Sequence, residues 1–463
     1  MPVSITPSLQ RHGPARMAQS PDRSELLQDL ISRAKSIGAD TADALMVEST
    51  SFGASFRLGK VEDIERSETQ DLGLRVMVGK RQAVVSTTDV SARALDPLVE
   101  RAVAMAKVAP EDPYCGLADP AQLAKSIPDL ELDDGSEPNA DTLIERARAV
   151  EEAALAVEGV TNSGGAGASF GRAAITLVTS DGFAGHYGGT NHSFSCSVIA
   201  GEGTAMERDY DYSTARHMSD LEDTGPVGTR AGEKAVNRLN PRKAKSCQVP
   251  IIYDPRVSGG LVGHFAGGIS GAAVARGTSF LKDAMDTQIF APGIRITDDP
   301  LKRRGRGSKP FDGEGVATGP LTLIDDGRLM TWLLDTSTAK QLGLVSNGRA
   351  ARGTGGTPSP STTNLTLEAG TLSPEDLIAD IKSGFYVTEM IGMGVNGLTG
   401  DYSRGASGFW IEDGKLTYAV SEVTVAGNLK DMFAHLTPAN DLVFRMATNA
   451  PTVRIEGMTV AGT

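Results

Sequence analysis

The chain has 463 residues, 40% of them hydrophobic and 22% charged, so it can bury a sizeable core and is not a disordered polymer. Lys and Arg number 45 against 58 Asp and Glu, a net charge of −13; this balance gains nothing from releasing phosphate counterions and argues against nucleic acid as a partner. The 53 glycines against 5% aromatics predict tight turns and close backbone contacts, and the absence of any ~18-residue apolar run predicts no membrane-spanning helix.

Residues 1–19 carry Pro and basic residues but no apolar stretch of the kind a signal peptide needs, and are expected to form a disordered tail. An N-terminal α+β domain is predicted over 20–109. Ser20-Pro21 caps a helix whose Leu26, Leu27, Leu30, Ile31, Ala34 and Ile37 recur at helical spacing until Gly38. Phe52, Ala54, Phe56 and Leu58 alternate as a strand does, as do Leu72, Leu74, Val76 and Val78. Gly79-Lys80 then turns into Ala83-Val84-Val85, and a second helix runs from Ser91 to Val108.

The Pro- and Asp-rich stretch 110–138 reads as a connection. A central α+β domain follows over 139–245, with helices at 142–157 and 223–239 around strands expected to break at Gly164-Gly165, Gly171 and Asp181-Gly182. Alternation there puts Phe194, Cys196 and Val198 on one strand face, so Cys196 reads as a buried structural thiol. Cys115, Cys196 and Cys247 are scattered without a CxxC pair, which fits a reducing, cytoplasmic compartment.

A C-terminal β-rich domain over 246–463, built on a large, mostly antiparallel sheet, completes an α+β fold. It opens with the strand Val249–Tyr253 and the cap Asp254-Pro255. Gly259, Gly263, Gly267 and Gly271 then fall every four residues, a nearly bare helical stripe. Each glycine costs about 1 kcal/mol of helix propensity, so the stripe serves either close backbone packing or a ligand cradle. Ile324–Leu329 and Ile411–Leu416 write the same hairpin twice around Asp-Gly, the pair a type I′ turn requires.

Signals for chemistry are sparse. The six histidines include no HExxH pair. His186 and His192 make only a weak ligand pattern, and His264 reads as a base or as a hydrogen-bonded structural histidine. Gly164–Gly167 lacks the Lys-Ser/Thr of a phosphate loop, and GxSxG does not occur. Lys302, Arg303, Arg304, Arg306 and Lys309 form a basic loop, either solvated or turned to an anionic peptide end or acidic partner. Phe311-Asp312-Gly313-Glu314-Gly315 sets two carboxylates in a glycine turn. Residues 392–408 pack glycines, hydroxyls, Asp401 and Arg404 ahead of a strand, either as a turn with a local Asp401–Arg404 pair or as a cradle for a bound chain.

Four segments carry a resemblance: Ala275-Arg276-Gly277-Thr278-Ser279-Phe280, Phe311–Gly315, Gly397-Leu398-Thr399-Gly400-Asp401-Tyr402-Ser403-Arg404-Gly405-Ala406-Ser407-Gly408, and Val425–Leu429. From about residue 24 onward the chain resembles the TldD/PmbA family, in detail its PmbA (TldE) branch. The resemblance implies a cytosolic zinc-peptidase complex of one TldD-like and one PmbA-like chain, which degrades or processes unfolded and leader peptides and has been linked to modulation of DNA gyrase. It also implies that substrate enters as an extended strand.

In TldD-like chains a His-Glu-x-x-x-His element precedes the basic-Gly-Thr-Ser stretch, and a late Cys completes the zinc site. Aligned on Gly277-Thr278-Ser279, those histidines fall near Val262 and Gly267 and the acid at Gly263; residues 440–463 contain no Cys. Zinc needs three or four ligands, so the expectation is no metal and no catalytic residue in this chain, with zinc in the TldD-like partner. Arg276, Thr278, Ser279, Asp312, Glu314, Asn396, Thr399, Asp401, Ser403 and Arg404 are the expected substrate-contacting residues. The alternatives are a metalloprotease with a divergent site (His264 with Asp312 or Glu314) or a homodimeric hydrolase, and a non-proteolytic regulator; a homodimer of the isolated chain is left open.

Overall fold

The computed structural model describes residues 21–462. The expected tail, the Ser20 cap and His12 therefore lie outside the described residues.

The first two units contribute α1 (Pro21–Ser36), β1 (Thr41–Arg57), β2 (Lys60–Val78), β3 (Arg81–Thr87), α2 (Ala92–Val108), α3 (Ala140–Leu155), β4 (Val160–Thr179), β5 (Ala184–Ala200), β6 (Glu207–Ala215) and α4 (Thr224–Asn237). Their strands make one antiparallel sheet in the order β3-β2-β1-β4-β5-β6. It runs unbroken across the predicted connection, because β1 pairs with β4 from Asp43↔Thr179 to Phe56↔Ala166.

β1 starts at Thr41, well before the alternation that begins at Phe52. Residues 42–46 are buried on both faces, so their pattern cannot alternate. Ala42, Ala44 and Met46 face a cluster with Leu27, Leu30 and Ile31 of α1 and Leu98, Val99 and Ala102 of α2. Ala54 and Phe56, with Phe194, Cys196 and Val198, face Leu143, Ala147 and Val150 of α3 and Val227 and Ala231 of α4. Leu45, on the opposite face, meets Phe311 of the C-terminal unit. Helices thus cover one side of the sheet and the C-terminal unit the other. Gly164, Gly165 and Gly171 do not end β4; a bulge at Ser163/Gly165, with Gly165 at φ 109°, absorbs the irregularity.

The C-terminal unit contributes β7 (Cys247–Tyr253), α5 (Pro255–Gly268), α6 (Gly271–Ala275), β8 (Ile296–Asp298), β9 (Leu321–Asp325), β10 (Arg328–Leu329), α7 (Thr336–Leu342), β11 (Ala350–Ala351), β12 (Ser359–Pro360), β13 (Leu365–Leu367), α8 (Pro374–Ile378), β14 (Ser383–Ile391), β15 (Asp401–Glu412), β16 (Lys415–Asn428), α9 (Leu429–Ala434), β17 (Leu436–Pro438), β18 (Thr448–Asn449) and β19 (Val453–Ala461). Its six-stranded sheet runs β16-β15-β14-β7-β19-β17, and an added β16–β19 pairing closes five of the strands into a ring. A five-stranded sheet, β10-β9-β8-β13-β18, is separate. The pairs β7–β14 and β13–β18 are parallel and the other ladders antiparallel. Both Asp-Gly hairpins form, with Asp326 and Gly327 at φ 46° and 76° and Asp413 and Gly414 at 45° and 74°. They sit in different sheets, β9–β10 and β15–β16.

Candidate functional site

α5 is set by its sequence. Asp254 caps it, its Oδ1 accepting from Arg256 N–H at 2.9 Å, and Pro255 supplies the fixed φ of the first turn. Leu261, Val262, Phe265 and Ile269 bury one stripe in the C-terminal core. Burying these side chains, at roughly 1.5–3 kcal/mol each, outweighs the glycine cost of about 1 kcal/mol apiece. The opposite face is bare. A Cβ on Gly260, Gly263 or Gly267 would meet no atom within 4 Å. Close backbone packing, one reading of the glycine stripe, is therefore not what the middle of α5 does. It holds at Gly271, which starts α6 and whose Cβ would lie 2.7 Å from the Leu333 carbonyl, and more loosely at Gly259, whose Cβ would lie 3.6 Å from the Thr448 carbonyl.

The β14–β15 connection leads into β15, whose Tyr402 ring stands 5.9 Å from that of His264 on α5. Asn396 Oδ1 accepts from Leu398 and Thr399 N–H at 3.0 and 3.4 Å. Thr399 Oγ1 donates to Asp401 Oδ2 at 2.7 Å, and Asn428 Nδ2 donates to Asp401 Oδ1 at 3.1 Å. These bonds hold the Asp401 carboxyl below its usual range. Arg404 Nε donates to the Gly392 carbonyl at 2.9 Å. The local Asp401–Arg404 pair does not form, since residues three apart on a strand point to opposite faces. Ser403 N–H donates to Gly394 O at 2.7 Å, leaving its hydroxyl exposed. Phe280 N–H donates to Gly397 O at 2.9 Å, tying this loop to the segment after α6.

The ten predicted residues do not form one site. Asn396, Thr399, Asp401, Ser403 and Arg404 stay together. Ser279 is buried and donates to the Gly268 carbonyl while accepting from Leu281 N–H, so it fastens the end of α5. Thr278 is exposed and bonds back to Ala273 O. Arg276 lines a different cleft together with Glu314. Asp312 is 3% and Glu314 4% exposed. Asp312 accepts from the backbone N–H of Glu314, Val316 and Ala350, and Glu314 Oε2 accepts from Thr336 N–H at 2.8 Å. Burial raises both carboxyls, to about 6 for Asp312 and about 7 for Glu314, where the neighbouring Asp312 charge adds to it.

His264 is half-buried, its ring edge-on to Tyr402 at 5.9 Å between centroids, and its Nε2 has no partner among the described residues. Burial and the Arg404 charge lower its pKa. Neither Asp312 nor Glu314 contacts it, so the divergent site His264/Asp312/Glu314 is not assembled. The other described histidines are structural: His186 on Thr176, His192 on Asp134, His217 on the Glu131 carbonyl and His435 on the Asp431 carbonyl. Cys196 is buried, its thiol pushed up to about 12 by desolvation.

Among the described residues no three His, Cys, Asp or Glu side chains converge, Val262 is core and Gly263 and Gly267 carry no donor. The basic loop is also spoken for. Arg303 and Arg304 pair with Glu131, Arg304 with Asp220, and Arg306 bonds Asn191 and Thr214, while Lys302 lies over the Phe444 ring. It joins the first sheet to the C-terminal unit. Sequence reasoning missed Arg75, a buried guanidinium in β2 that lines the Arg276/Glu314 cleft; an arginine amid Leu72, Leu74 and Val76 was the available signal.

Comparison with known proteins gives consistent results. Residues 42–106, 133–239 and 246–462 match the first, central and C-terminal domains of the PmbA/TldA metallopeptidase family. The chain is 37% identical over 443 residues to Metalloprotease PmbA of Escherichia coli O157:H7, covering 95% of this chain and 96% of the relative. It is 35% identical to a Metalloprotease PmbA homolog of Haemophilus influenzae, covering 96% and 97%. A Bacteroides thetaiotaomicron structure named as a modulator of DNA gyrase superposes with TM-score 0.88 at 29% identity, over 96% of this chain and 100% of that one. TldE from Thermococcus kodakarensis shares the fold, with TM-score 0.82 at 22% identity over 94% and 100%. The chain belongs to the PmbA/TldD metallopeptidase family, on its PmbA (TldE) branch.

Proposed function

We propose that this chain is the metal-free subunit of a two-chain, cytoplasmic zinc metallopeptidase that degrades or processes unfolded and leader peptides. A TldD-like partner holds the zinc. This chain supplies one wall of the channel, laying the extended peptide along the bare face of α5 and the 392–404 loop. The carrying observation is that face: where a zinc-binding relative is expected to present ligands, Gly263 and Gly267 present backbone with open space above it. Backbone without side chains lets an extended chain approach closely, while Arg404, Asp401 and Ser403 offer polar contacts at its margin. Among the described residues no helix is long and apolar enough to cross a membrane.

The test is co-purification of this chain with a TldD-like chain, followed by zinc quantification on each subunit and cleavage of an unstructured peptide. The expected result is a stable pair, zinc confined to the TldD-like subunit, and cleavage by the pair alone. Stoichiometric zinc on this chain together with cleavage in the partner's absence overturns the proposal. A pair that forms but leaves peptide intact favours the non-proteolytic regulator.

A further inference from the structure

Away from α5, a cleft of about 280 Å³ opens between β2 and β3 of the first sheet, the end of α6 and the start of α7. Its lining mixes charged and polar side chains with small apolar ones. The larger apolar side chains of the core are missing from it; Ala272, Cys115 and prolines are the least polar groups present. Three ionisable side chains at least nine-tenths buried form the walls: Arg75 at 3% exposure, Glu314 at 4% and Asp335 at 2%.

Each of the three is only partly satisfied. Arg75 donates to Asp43 Oδ2 through Nε at 2.8 Å and Nη2 at 2.5 Å, and Nη1 has no hydrogen-bond partner among the described residues. Glu314 uses Oε2 on Thr336 N–H, and its Oε1 has no partner there either. Asp335 spends Oδ1 on the Thr338 backbone N–H at 2.8 Å and on its hydroxyl; Oδ2 has none. Arg276 stands exposed at the mouth without an ion-pair partner among the described residues. These atoms are hydrogen-bonding capacity that the fold leaves open to the cleft, and beside them Gln82 Oε1 is fully enclosed with no partner among the described residues. Two opposite charges in one small cleft state what would meet them.

We infer that this cleft is a binding site for a small zwitterion of the free α-amino-acid or dipeptide class. The ammonium sits against Glu314 and Asp335, and the carboxylate takes the remaining Arg75 N–H with Arg276 closing over it. A phosphate or other polyanion would face three carboxylates, Asp112, Glu314 and Asp335. An apolar ligand would leave the buried charges unmet. A lone amine would not satisfy Arg75, and a lone carboxylate would leave Asp335 Oδ2 unmet. The volume lies just below the range of drug-sized pockets, which suits one or two residues. Nothing in this assignment depends on zinc, on a partner chain or on peptide cleavage.

The experiment is calorimetric titration of the full-length chain with L-alanine and L-alanyl-L-alanine, with propionate and ethylamine as single-charge controls. The expected result is saturable binding of at least one zwitterion, with both controls weaker by about tenfold or more, roughly 1.4 kcal/mol. Glu314→Gln is expected to lower affinity by about tenfold or more. Ser337→Phe, which fills the mouth without altering a charge, is expected to abolish binding and covers the case in which the Glu314 variant does not fold. No heat from either zwitterion up to ~10 mM, equal binding of propionate or ethylamine, or undiminished binding by folded Ser337→Phe overturns the assignment.

Discussion

Asp312 and Glu314 stand two residues apart in a turn from which water is largely excluded, and burial sets their chemistry. The Glu314 carboxyl rises from 4.5 to about 7 in the folded chain. Below 4.5 both folded and unfolded chains hold the proton; between 4.5 and about 7 only the folded chain does. The folded state then binds more protons, so stability falls as pH rises through that window. A tenfold change in proton affinity is worth about 1.4 kcal/mol. Glu314→Gln removes this slope: its melting temperature relative to the native chain is expected to climb between pH 5 and pH 8, as thermal melts at the two values will show. A difference that stays flat means that Glu314 is not held protonated. The acid pair in a glycine turn was legible in the sequence. Its burial was not, because Thr336, Ala350 and Arg75, which cover it, are distant in the chain and carry no local sign of the contact.

α5 shows what an element's sequence can and cannot disclose. Its cap, its proline and its buried stripe were legible, since each is a relation between residues a few positions apart. Whether its glycines face a neighbouring backbone or open space was not, because that depends on where distant elements end. The same holds for the Asp-Gly hairpins: both turns were readable, but their assignment to separate sheets was not. The open face makes an unusual prediction about Gly263→Leu. With no atom within 4 Å of the added Cβ and a gain of up to about 1 kcal/mol in helix propensity, the variant is expected to be at least as stable as the native chain in urea. If α5 lines the peptide channel, the same leucine should cut cleavage by the two-chain complex about tenfold or more while leaving the complex intact by size-exclusion chromatography. Undiminished cleavage would remove α5 from the channel.

Over the whole molecule, one buried acid ties two strands of the first sheet to the C-terminal unit. Asp43 in β1 takes Arg75 from the neighbouring strand and Arg352 from the C-terminal unit, both across side chains almost fully buried. The strand–loop approach there is tight, because a Cβ on Gly73 would fall within the Thr354 backbone. Sequence analysis placed a domain boundary at 110–138, where the chain does make a long connection. The β1–β4 ladder across it joins residues more than a hundred positions apart, and register between such strands leaves no local trace. Burial alone pushes the Asp43 carboxyl up, but the two guanidinium groups prevail and hold it below its ordinary value. Asp43→Ala strips both arginines of their counter-charge at once. Breaking a buried pair by removing one partner costs about 3–5 kcal/mol, and here two cations are stranded across a single junction. The loss should be local before it is global: the glycine-rich loop at 353–356, anchored through Arg352, is expected to be nicked by protease at urea concentrations where circular dichroism still reports native helix. Asp43→Ala with native stability to within ~1 kcal/mol and native proteolytic resistance would show that apolar packing around Leu45 and Phe311 suffices to join the two bodies.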